Sequence, residues 1–86
     1  MKNINKGVYK MYAVYKITNL INNKSYIGSS IRVYKRWQEH INTAFNPNNP
    51  HYNYPLYQAI RKYELKNFNF SILKDDFNSI EEMQNF

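Results

Sequence analysis

The chain has 86 residues, no cysteine, two histidines, and twelve lysines and arginines against six acidic residues, a formal charge of +6. A chain of that length holds one small domain with little stability to spare; the missing cysteines exclude a disulfide framework and a thiolate zinc site, and His40 and His51 cannot close a metal site by themselves. No run approaches a membrane span and the opening MKNINKGVYKMY lacks the apolar core of a signal peptide, so a reduced, cytoplasmic setting without a membrane partner is the default.

The positive balance favours an anionic partner or serves solubility alone. Nine tyrosines and an aromatic content of 17% tip the balance toward nucleic acid, where rings and cations work together. Residues 1–10 are polar and lysine-rich and read as a flexible lead-in. From Met11, MYAVYKI is rich in β-branched and aromatic residues, NLINNK supplies turn chemistry and SYIG resumes the pattern, which predicts an antiparallel hairpin. Alternation puts Ala13, Tyr15 and Ile17 on one face and Tyr12, Val14 and Lys16 on the other. Gly28, Ser29 and Ser30 are expected to end the strand, with serine starting the helix that follows.

In VYKRWQEHINTA the residues Val33, Trp37, Ile41 and Ala44 recur at helical spacing, and Lys35, Gln38, Glu39 and Asn42 fall on the solvated side. Asparagines and two prolines at residues 46–53 stop this helix in a loop expected to be mobile. Pro55 suits the first turn of a second helix with Leu56, Ala59, Ile60 and Tyr63 as its apolar stripe. NFNFSIL, residues 67–73, turns Phe68, Phe70 and Ile72 inward as a third strand. SIEEMQNF opens a last helix, with Ser79 and Glu82 spaced as a capping box. The reading is one α+β domain in the order β β α α β α, a small three-stranded antiparallel sheet flanked by helices.

On the first helix Arg36 and His40 stand four residues apart, at or beside the apolar stripe, and so face whatever the helix packs on. Two readings stay open. His40 is a satisfied core histidine and Arg36 caps a carbonyl or pairs with Glu39 or Glu64; or both converge with the hairpin tyrosines on a phosphate, which suits the guanidinium fork, while a tyrosine holds or deprotonates a water.

The triplet AVY (Ala13, Val14, Tyr15), then YIG (Tyr26, Ile27, Gly28) eleven positions on, then RWQEH with Arg36 and His40, resembles the GIY-YIG nuclease family. That family occurs in phage and intron-borne homing endonucleases and in the incision half of bacterial nucleotide excision repair. GVY at residues 7–9 stands seventeen positions from Tyr26 and is set aside on spacing. Ala13 replaces the family's first glycine, which the strand tolerates. The likeness runs from residue 11 to 86 and implies a catalytic domain, its carboxyl-terminal part incomplete, that hydrolyses DNA phosphodiesters with one divalent ion, Mg2+ or Mn2+, and no small-molecule cofactor.

By that resemblance Tyr26 or Tyr15 orients or deprotonates the water, Arg36 neutralises the scissile phosphate, and His40 moves a proton or positions a tyrosine. Gly28 lets backbone pass close to the site, and Ser29 and Ser30 bind phosphate through amides at a helix start. The family's metal-binding glutamate falls just after Phe86, with Glu82 and Glu81 as fallbacks whose place in the first turn equally suits capping. An inactive or truncated nucleic-acid-binding module, and a purely structural domain, are the other readings. The Asn- and Lys-rich composition suits an AT-rich phage, virus or mobile-element genome.

Overall fold

Seven alternating residues rich in Val, Ile and Tyr cannot bury one face as a single strand, so Ala13–Asn19 (β1) pairs on both sides. A computed structural model describes residues 11–86; the lead-in and the GVY triplet lie outside the described residues. Ser25–Ser30 (β2) and Phe68–Lys74 (β3) flank β1 in the order β2-β1-β3, and both pairings are antiparallel. The helices are Val33–Ala44 (α1), Pro55–Tyr63 (α2) and Ile80–Gln84 (α3), which makes the order β β α α β α. The hairpin loop closes on Asn19: its Oδ1 accepts from the Ile21 N–H at 2.9 Å, and Asn23 takes the left-handed φ of 62° that asparagine tolerates.

Each face of the sheet has its own core. Ala13, Tyr15 and Ile17 are buried with Val33 against Trp37, Leu56, Phe68, Phe70 and Ile72, so α1 and α2 cover this face. Removing Ile17 or Val33 from water stabilises the fold by about 1.5–3 kcal/mol each. Val14, one residue out of phase, is buried on the opposite face by Phe77 and Met83, which puts α3 there. Opposite Val14–Tyr15 the β3 register skips Leu73, a bulge that leaves this leucine half exposed.

Three expectations are revised. Ser29 and Ser30 do not open a helix: they pair with Val14 and Ala13, so the sheet satisfies that backbone and β2 continues to Ser30. Helix α1 instead begins after Arg32 without a side-chain cap, and Ser30 Oγ accepts from the Arg32 N–H at 3.0 Å. The prolines and asparagines do end α1, but the loop after it is tied down by Arg61. Arg61 Nη1 donates to the Ala44 and Tyr52 carbonyls at 2.8 Å each, and its guanidinium lies 3.6 Å from the centre of the Tyr52 ring. On α2, Tyr57 rather than Tyr63 is the buried tyrosine. Among the described residues no helix is long and apolar enough to cross a membrane.

Candidate active site

Tyr15 stands in the middle of the central strand, directly opposite Gly28 on β2. A side chain at Gly28 would meet it: a Cβ there would lie 2.5 Å from the Tyr15 hydroxyl, 2.6 Å from Cζ and 3.0 Å from Tyr26 Cε1. Gly28 has no left-handed φ. Its part is to leave room for the Tyr15 ring, so the close approach is that of a side chain and not of backbone.

Arg36 and His40 lie about one helical turn apart on α1 and reach the hairpin from the same side. His40 is 1% exposed. Its Nε2 is 2.8 Å from the Tyr15 hydroxyl and its Nδ1 is 2.7 Å from the Tyr57 hydroxyl, supplied by α2. Burial pushes the imidazole down to about 4, helped by the nearby Arg36 charge and opposed by Glu39. At neutral pH the ring therefore carries one N–H, and it donates to one tyrosine and accepts from the other. Tyr15, itself buried, is pushed up to about 12 by desolvation first and by Tyr26 next, with Arg36 working the other way.

Tyr26 and Arg36 form the solvent side of the cluster. Tyr26 is 37% exposed and sets its ring 5.4 Å from that of His40, edge to face. Arg36 keeps 42% of its side chain exposed and its Nη1 lies 3.3 Å from Glu39 Oε1. Burial opposes the arginine's charge, but Glu39 and the two tyrosines Tyr15 and Tyr57 outweigh it and hold its pKa above the ordinary value. Ser30 shares with Arg32, Lys35, Arg36 and Glu39 a groove of about 170 Å3 that carries three cations and one carboxylate. Ser29 points to the other face, beside Met83.

Tyr57 escaped the sequence reading, although it lies three residues before Ile60 and so on the same helical stripe. Two more rings lead outward from it: Tyr54 stacks on Tyr57 at 6.3 Å, and His51 on Tyr54 at 4.5 Å.

The fallback metal ligands do not fit. Glu81 and Glu82 belong to α3, across the sheet from Tyr15, and Glu82 acts as a cap: its Oε1 accepts from the Asn78 N–H at 3.0 Å while its own N–H donates to Ser79 Oγ at 3.1 Å. Glu39, on the groove, is engaged by Arg36. Among the described residues no three His, Cys, Asp or Glu side chains are grouped to hold an ion.

A family model described as the GIY-YIG catalytic domain matches residues 11–83. Comparison with curated proteins and with solved structures found no match.

Proposed function

The chain belongs to the GIY-YIG catalytic domain family, a family of nucleases, and from that membership we propose that it is the catalytic module of an endonuclease hydrolysing DNA phosphodiesters, of the homing-endonuclease kind. The observation that carries this reading is the division of the cluster into an exposed pair, Tyr26 and Arg36, and a buried relay, Tyr15, His40 and Tyr57. The exposed arginine holds the scissile phosphate with its fork of donors, and Arg32 and Lys35 along the same groove take the neighbouring phosphates.

The attacking water sits against the tyrosine pair, Tyr26 at the surface and Tyr15 behind it. As its oxygen bonds to phosphorus, its proton passes to the pair and on to His40 Nε2. The bond to the leaving oxygen breaks and that oxygen takes a proton from solvent. A resting imidazole held near 4 is unprotonated and ready to accept. It is also a weak base, but the Arg36 charge is one of the two causes of that weakness, and a phosphate bound to Arg36 offsets it. Substrate binding thus raises the basicity of His40 when it is needed. Gly28 keeps the relay in register, and His40 and Tyr57 position Tyr15 without touching substrate.

Nucleases of this family generally depend on a divalent ion. An ion, Mg2+ or Mn2+, would supply Lewis-acid chemistry to this reaction, and among the described residues no grouped carboxylates and histidines are placed to hold it.

The test is nicking of a supercoiled plasmid at low salt with Mg2+ or Mn2+, with a chelator as control. Cleavage that disappears in Arg36→Ala and falls strongly in Tyr26→Phe supports the site; undiminished cleavage in both variants overturns it. A second reading, a nucleic-acid-binding module of the same fold, fits the finding that no such cluster of ligands occurs among the described residues. It calls for salt-sensitive binding that needs no metal and for no cleavage under any condition.

A further inference from the structure

Beside Tyr26, and away from the Arg36 groove, a cleft of about 240 Å3 opens between the hairpin loop and α2. Its walls are mostly apolar, with Ile17 and Phe68 from the sheet and Leu56 and Ala59 from α2. Asn19 also lines it, and the Nδ2 of this asparagine is buried without a hydrogen-bond partner. The residue is only 3% exposed, and its Oδ1 is held by the Ile21 N–H, so the amide cannot turn over to present an acceptor instead. A buried donor left unpaired is unusual in a folded chain, and the residue that carries it lines this cleft. Lys24, exposed to solvent, lies at the same cleft and adds a cation.

Apolar walls, an unpaired amide behind them and an outer cation exclude a bare phosphate as the occupant, and the space is several times that of one water. They match a nucleobase: flat apolar faces, carbonyl or ring-nitrogen acceptors on its edge, and a phosphate attached. On the reading of this chain as a DNA-cutting module, we infer that the cleft takes one unpaired nucleobase of the substrate strand, on the far side of Tyr26 from the phosphate held by Arg36. A base in the duplex stack cannot enter a cleft walled by a strand face and a helix, so the preferred substrate is DNA with a flipped, bulged or single-stranded nucleotide beside the cut. Tyr26 serves both places, lining the cleft and facing His40.

The experiment is binding of three DNAs to the full chain in chelator: a duplex with paired 2-aminopurine, the same duplex with 2-aminopurine as a one-nucleotide bulge, and that bulge made abasic. The expected result is binding of the 2-aminopurine bulge about tenfold or more tighter than either control, with a change in its fluorescence. Ala59→Leu fills the cleft from a helix that accepts leucine, and it removes the preference while leaving paired-duplex affinity unchanged. Asn19→Asp keeps the acceptor for Ile21, replaces the donor with an acceptor, and removes the preference as well, with whatever the added charge costs in affinity shared by all three DNAs. Equal binding of the base-bearing and abasic bulges, or a preference that survives both substitutions, overturns the base site while salt-sensitive duplex binding leaves the nuclease reading standing. Failure to bind any of the three at low salt overturns both.

Discussion

Replacing Gly28 with alanine tests the whole arrangement with one methyl group. The added Cβ would stand 2.5 and 2.6 Å from Oη and Cζ of Tyr15, where ordinary contact begins near 3.4 Å. The Tyr15 ring has no free direction: it is 1% exposed, with Trp37 edge-on at 6.0 Å. Relief comes only by pushing the ring off its place, which stretches the 2.8 Å link to His40 Nε2. Overpacking of this kind costs about 1–3 kcal/mol, and a buried imidazole nitrogen left without a partner adds about 1–3 kcal/mol. Against a total of order 5–10 kcal/mol for a domain of this size, Gly28→Ala is expected to lower Tm by roughly 10 °C or more and to abolish plasmid nicking even where the protein is still folded. Adding Tyr15→Phe does not rescue it, because Cζ remains at 2.6 Å. The assays are thermal unfolding by circular dichroism and nicking well below the measured Tm. A Gly28→Ala protein with unchanged Tm and activity refutes the packing argument and, with it, the relay.

Arg36→Ala breaks an exposed pair with Glu39 and the weaker interactions with Tyr15 and Tyr57, so urea titration is expected to show stability within about 1 kcal/mol of the parent while nicking falls by about 10²-fold or more; a loss of stability large enough to account for the loss of activity would make Arg36 structural. Tyr57→Phe leaves His40 Nδ1 buried and unpaired, and urea titration is expected to show about 1–3 kcal/mol of destabilisation; no change would mean that the Tyr57 hydroxyl is not the partner. His40 is held at about 4 in the folded chain against 6.5 unfolded, so the unfolded state takes up its proton first as pH drops. Stability is therefore complete above about 6.5 and is lost on acidification toward 4, by about 2 kcal/mol at pH 5. His40→Gln should flatten the urea midpoint between pH 6.5 and 5, and a parent protein already flat in that window contradicts the burial of a neutral imidazole.

The order of elements, and all but Tyr57 of the residues that converge on the candidate site, could be read from local pattern. Period-two alternation marks β1 and β3, period-3.6 spacing marks α1 and α2, and Ser79 with Glu82 marks the start of α3; each is a property of neighbours in the chain. The resemblance through Tyr15, Tyr26, Gly28, Arg36 and His40 was equally legible, because those residues keep a spacing imposed by one hairpin and one helix. Which of them face solvent was not legible. Tyr15 and Tyr26 are the same residue type on the same hairpin, and only the packing of α1 and α2 onto one face buries the first and leaves the second open.

Two other decisions belong to tertiary structure. Ser29 and Ser30 look like helix starters, but long-range pairing with β1 satisfies their backbone and keeps them in the sheet. Tyr57 becomes the second partner of His40 because α2 folds back across seventeen residues of sequence to present its hydroxyl. The amino-acid sequence alone determined the elements and the chemistry they carry, since both depend on periods of a few residues. Which groups are buried, which are paired and which are left open to a substrate was decided when helices and strands far apart in sequence closed on the two faces of one small sheet, because burial is a property of the surfaces that meet and not of the residues that carry them.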